Sequence, residues 1–192
     1  ALPAALTQLE ERTVGPTLGA DSIRRGKNAG LMALALIVAF MFAYYRKLGV
    51  VADISLMFNI LLLLAILTSL GATLTLPGVA GIVLTLGMAV DANVIIFERI
   101  KEELSKGAKA ASAVKNGFGH AFSAIFDANI TTALICGVLM YYGTGPVRGF
   151  AVTLLCGIVT SMFTAIFLSR TIVEVLITRF GVEKLSSVQK SA

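Results

Sequence analysis

Tryptophan is absent from this 192-residue chain, and histidine occurs once, cysteine twice and proline four times. Cys136 and Cys156 each stand alone in an apolar run, LICGV and LLCGI, with no second ligand spaced near either. They read as small buried hydrophobes rather than as a disulfide or a metal pair. Charge is scarce too: 14% of residues are Asp, Glu, Lys or Arg, against about a quarter in a soluble domain. No nucleotide-binding loop, metal-ligand cluster or nucleophile–base pair is present, and the glycines from Gly143 onward follow no strand and carry no P-loop lysine. The chain is therefore not expected to be an enzyme, and no cofactor or metal is expected.

What is abundant is apolar sequence: 57% of residues are hydrophobic and the mean hydropathy is +0.88. These residues come in five blocks, each near the length a helix needs to cross a bilayer, at about 30–45, 54–70, 79–97, 128–142 and 150–168. Pro77-Gly78 and the run Tyr142-Gly-Thr-Gly-Pro146 mark two reversals that are nearly free of Lys and Arg. The opposite loops are basic. Arg46 and Lys47 follow the first block, Arg99, Lys101, Lys106, Lys109 and Lys115 the third, and Arg170, Arg179, Lys184 and Lys190 the fifth. The positive-inside rule places those loops and the C-terminus in the cytoplasm, and the N-terminal side in the periplasm of a multi-pass inner-membrane protein. An odd number of spans agrees with that. The net charge of +5 belongs to this loop pattern and does not point to nucleic acid. Arg24, Arg25 and Lys27, on the outer side, are explained if a folded translocated domain precedes them. The opening ALPAALTQLEE has no basic stretch leading into an apolar one, so no signal peptide is expected. The chain reads as a piece of a longer protein. Residues 1–26 are expected to be the tail of a periplasmic domain with a linker, 27–181 the transmembrane domain and 182–192 a cytoplasmic tail. The fold class is all-α: a polytopic bundle of five transmembrane helices, with amphipathic helices at the cytoplasmic interface over about 99–126, where Ala113, Val114, Phe118, Phe122 and Ile125 recur at near-helical spacing.

Ionisable residues inside spans are rare and point to function. The third block holds one, Asp91, in GMAVDANVIIFER. Its short side chain has little reach to the interface, so it should face other helices or a wet cavity, where it reads as a proton-relay carboxylate or as an interhelical anchor. Gly87 lies one turn before it, with Leu84 and Gly81 further along, and small residues there suit close helix packing. Asp127 heads the fourth block in a second Asp-Ala-Asn triplet, as an N-cap or a further relay group. Asn129, Thr131 and Thr132 are placed to hydrogen-bond across to Asn93 or Asp91. Glu98, Arg99, His120 and Arg148 read as solvated or interfacial residues.

Three runs carry a family resemblance: EERTVGPTLGADSI, TLPGVAGIVLTLGMAVDANVIIFERIKEEL and GTGPVRGFAVTLLCGIVTSMFTAIFLSR. They resemble the SecD/SecF family of protein-export membrane proteins over nearly the whole chain, up to about Gly181. Asp91-Ala-Asn93 and Phe97-Glu-Arg-Ile100 match its SecD branch; the SecF branch reads closer to NDTVVVFDRI. The resemblance implies half of a resistance-nodulation-division type transmembrane domain. It implies association with SecF, the SecYEG channel, unfolded preprotein, protons and the lipid bilayer, and coupling of the proton-motive force to preprotein translocation or release. It also implies that Asp91 is the family's intramembrane proton carrier, with Asn93 in the same motif. The alternatives are a non-titrating scaffold of the translocase, which would tolerate Asp91→Asn, and a proton-driven exporter of the same superfamily.

Overall fold

The computed structural model describes residues 16–72 and 75–180, all arranged as helices and short turns. The remainder of the expected periplasmic tail and the expected cytoplasmic tail at 182–192 lie outside the described residues. In order come α1 (Pro16–Tyr45), α2 (Lys47–Ser69), α3 (Leu76–Ser105), α4 (Ala110–Tyr142), α5 (Gly145–Phe163), a π-helical segment (Thr164–Leu168) and α6 (Ser169–Phe180). Five stretches are long and apolar enough to span a bilayer: Arg24–Tyr45, Lys47–Ser69, Leu76–Ser105, Ala110–Tyr142 and Gly145–Arg179. Residues 16–26, part of the 1–26 stretch expected as a periplasmic tail with a linker, are the first turns of α1.

The turns obey local chemistry. Gly71 (φ +60°) ends α2, with Ala72 N–H donating to Leu67 O (3.0 Å) and Gly71 N–H to Thr68 O (3.0 Å). This is the Schellman pattern, and glycine takes its left-handed position at no steric cost. Thr75 then caps α3, accepting from Gly78 N–H at 3.2 Å, and Pro77 occupies the first turn, where no amide is needed. A second Schellman turn at Gly107 (φ +87°) reverses α3 into α4.

The segment expected as separate interfacial helices belongs instead to this α3–α4 hairpin. At a rise of 1.5 Å per residue, α3 and α4 are each about 45–50 Å long, longer than the ~30 Å hydrocarbon layer. The charged turns are simply their continuation. The amphipathic face of α4 packs on α3: Val114, Phe118 and Ile125 join Ile96, Phe97 and Ile100 in one buried cluster. Phe122 remains exposed. A Cβ on Gly117 would approach Ile100 N within 2.9 Å, so only glycine permits this contact.

α3 is the hub, touching α1, α2, α4 and α5. Its contact with α5 is the most extensive in the bundle. A side chain at Gly157 would overlap Thr85, and one at Gly81 would press on Phe150 (3.3 Å) and Thr153 (3.4 Å) of α5. Beyond α5, the π segment inserts one extra residue into the turn. The helix beyond it is thereby rotated by roughly 100° relative to a continued α-helix. Ser169 is turned inward, fully buried, with its Oγ 2.6 Å from Asn93 Oδ1 and 2.8 Å from Ser55 Oγ. Each hydroxyl has one proton, so Ser55 donates to Ser169, which donates to Asn93. The chain of bonds ties α2, α3 and α6 together.

Two outcomes test this packing. Gly157→Val should destabilise the full-length protein by about 1–3 kcal/mol, the usual cost of overpacking, in a denaturant titration in which Gly137→Ala, facing open space, has little effect. A Ser55→Ala/Ser169→Ala double-mutant cycle should show a coupling energy on the order of 1 kcal/mol, the scale of interhelical hydrogen bonds in membranes.

Candidate proton-relay site on the third helix

Asp91 and Asn93 are neighbours in sequence but not in space. Two residues along a helix is a rotation of about 200°, so they emerge on opposite sides of α3. Asn93 points into the bundle, 2% exposed, where its Nδ2 donates to Ala89 O at 3.0 Å and its Oδ1 accepts from Ser169. Asp91 points out of it. Its carboxylate is exposed and makes no hydrogen bond or ion pair among the described residues.

The surface around Asp91 is built from small and apolar residues. Leu84 and Gly87 are exposed on the same face, and a Cβ on Gly87 would meet nothing within 4 Å. Gly81 is not part of this face; it is buried against α5. About two turns from Asp91 toward the basic end, the face closes with Glu98. That residue is exposed, yet far from simply solvated. Tyr45 Oη donates to its Oε1 at 2.9 Å and Lys101 Nζ at 2.8 Å, while the same ammonium sits 4.5 Å and 4.7 Å from the ring centres of Tyr45 and Tyr44. Glu98 is thus held by α1, and Asp91 is the unengaged carboxylate of this face.

The fourth helix contributes less than its sequence suggested. Asp127 is an exposed residue in the interior of α4, which begins at Ala110, so it caps nothing. Asn129 Nδ2 donates to Ile125 O (2.7 Å), Thr131 Oγ1 to Asp127 O (3.0 Å) and Thr132 Oγ1 to Ala128 O (3.1 Å). All three are spent on their own helix, and none reaches Asp91 or Asn93. A side-chain donor inside lipid takes the nearest free lone pair, and the carbonyl one turn back is always within reach.

Two polar groups went unnoticed in the sequence. Asn59 is fully buried in α2, and neither its Oδ1 nor its Nδ2 has a hydrogen-bond partner among the described residues. Asp53, also on α2, has a buried Oδ1 in the same condition. Their signal was available: both are strongly polar residues in the otherwise mostly apolar run VADISLMFNILLLL. At the hairpin tip, Glu103 accepts from Asn116 (3.2 Å) and Lys106 (3.1 Å), with exposed His120 Nδ1 at 3.9 Å. Bonds to Glu102 and Glu103 hold the Lys106 ammonium above its ordinary pKa. No group of three or more His, Cys, Asp or Glu able to hold a metal ion occurs among the described residues.

Residues 2–179 match the family model described as protein export membrane protein SecD/SecF, C-terminal. The chain is 52% identical over 185 residues to the protein translocase subunit SecD of Desulfurispirillum indicum, covering 96% of this chain and 36% of that protein. It is 53% identical over 175 residues to the corresponding subunit of Pseudomonas aeruginosa, covering 91% and 28%. Among solved structures, the crystal structure of SecDF, a translocon-associated membrane protein from Thermus thermophilus, aligns with a TM-score of 0.85 at 50% identity, over 88% of this chain and 24% of that one. The chain spans about a third of the length of the curated relatives it matches. With five bilayer-length helices, the hub helix carrying its acid, and a family match over nearly all its residues, this chain belongs to the SecD/SecF family of multi-pass bacterial protein-export membrane proteins.

Proposed function

We propose that this chain is the transmembrane half-domain of a Sec translocase subunit that couples the proton-motive force to preprotein translocation or release, working with SecF and the SecYEG channel. Asp91 is its proton-relay carboxylate. The observation that carries this reading is the placement of Asp91: a carboxylate in an apolar span, on the hub helix, without a partner among the described residues, on a face left open by Gly87. An acid kept only as a structural anchor would be expected to spend its bonds inside the bundle, as Asn93 does. An unengaged acid at this depth is instead available to take a proton and to give it up. The open face suits a second, similar half-domain packing against α3, which would enclose the carboxylate. Asn93 holds α3 in place from behind. The basic loops lie in the cytoplasm, and the Gly71 end of α2 and the 143–144 turn in the periplasm.

The test is Asp91→Asn in the full-length protein assembled with SecF, scoring preprotein export with and without a proton gradient. The gradient-dependent part should fall below about a tenth of wild type, the scale of removing a proton-transfer group, with assembly and the gradient-independent part unchanged. Full gradient dependence in the variant would leave a scaffold role. Orientation is checked separately. In a background with Cys136 and Cys156 replaced by Ser, an impermeant maleimide should label Arg148→Cys from the periplasmic side, and Lys109→Cys only after the membrane is opened.

A further inference from the structure

A cavity of about 330 Å³ opens near the basic end of the bundle, between α4, α3 and the π segment with the start of α6. That volume lies at the lower end of the range for ligand pockets, roughly 300–1,000 Å³. Its walls are hydrocarbon: Phe118, Phe122 and Ile125 from α4, Ile96 from α3 and Ile166 from the π segment. Two exposed cations from different helices complete the lining, Lys115 of α4 and Arg170 of α6, and no carboxylate lines it. Arg170 gives its Nε to Glu174 (2.8 Å), which leaves its terminal guanidinium nitrogens without a hydrogen bond among the described residues. Lys115 forms no ion pair among them. Gly119 keeps the α4 side open, since a Cβ there would meet nothing within 4 Å.

An apolar slot lined by two cations from different helices, at the level of a membrane protein where apolar helix gives way to basic helix, matches one kind of molecule: an amphiphile with an anionic head and a hydrocarbon tail. We propose that this cavity binds an anionic phospholipid, its phosphate held between Lys115 and Arg170 and part of an acyl chain laid against Phe118, Phe122 and Ile166. A free phosphate would satisfy the cations but leave the aromatic walls wet. A neutral lipid would fill the walls but leave Lys115 without an anion and the terminal guanidinium nitrogens of Arg170 without an acceptor among the described residues. The site is formed by α4 with Ile96 of α3, the π segment and the start of α6, and it does not depend on the role given to Asp91.

The experiment uses the full-length protein reconstituted in nanodiscs of phosphatidylcholine and phosphatidylglycerol, released into mild detergent, with retained lipid counted by native mass spectrometry. Wild type should keep phosphatidylglycerol in preference to phosphatidylcholine. Lys115→Gln/Arg170→Gln should lower that retention by about tenfold or more, the scale of losing two headgroup-paired cations. Gly119→Phe, which fills the slot without changing charge, should lower it as well. Arg46→Gln/Lys47→Gln, which removes two basic residues elsewhere at the same end, should leave it unchanged. Equal loss in that last variant would mean diffuse attraction to a basic surface, and would overturn the proposal. So would retention that survives Gly119→Phe, because the lipid would then lie on surface cations alone. A fold check by circular dichroism accompanies each variant, and the single Lys115→Gln change replaces the double one if the double one fails to assemble.

Discussion

Hydrocarbon offers a backbone amide no hydrogen-bond partner, so each N–H that enters it must be satisfied within its own helix. Helices made this way gain nothing from being merely apolar, since lipid is equally apolar. They hold together where backbones come close and where a few polar side chains meet. Both conditions converge on α3. Gly157 and Gly81 bring α5 and α3 into contact at one end, Gly117 brings α4 onto it at the other, and the Ser55–Ser169–Asn93 bonds fasten α2 and α6 to its middle. With these contacts made, the remaining face of α3 is the one that no described part of the chain covers, and Asp91 stands on it.

The separation between Asn93 and Asp91 gives the third helix two duties. One side is a satisfied, dry contact that sets its position and rotation. The other is an unspent carboxylate. A carboxylate that moved with a loosely held helix would change its distance to any partner with each fluctuation; the bonds behind it limit that freedom. The π segment belongs to the same device, because its extra residue is what turns Ser169 toward Asn93. At the basic end, Tyr45 and Lys101 engage Glu98, so the second acid of the open face is already neutralised by its own chain.

Much of the architecture was legible in the order of residues alone. Five apolar blocks, two Gly/Pro reversals and the one-sided placement of Lys and Arg describe five helices and their connections. Asp91 stands out because a charge in such a block has a free-energy cost that must be met by function or by a partner. The amphipathic spacing of Ala113, Val114, Phe118 and Ile125 was equally visible, but its meaning was not. The same periodicity serves a helix lying on a membrane surface and one packed along a neighbour. The α3–α4 turn at Gly107 selected the second by folding that face back onto Ile96, Phe97 and Ile100. Likewise, Asp127 looked like a helix N-cap, until α4 proved to run through it unbroken from Ala110.

Sequence by itself determined how many spans there are and about where they lie, because hydropathy and charge act residue by residue along the chain. Only the tertiary structure decided where each side chain points. Rotation about a helix axis depends on which small residues meet which neighbours, and one added residue in a π turn redirects every side chain after it. Asn59, Ser55 and Ser169, from distant parts of the chain, were therefore found inside the bundle only once the helices were packed. Asp91, two residues from Asn93, was left facing out for the same reason.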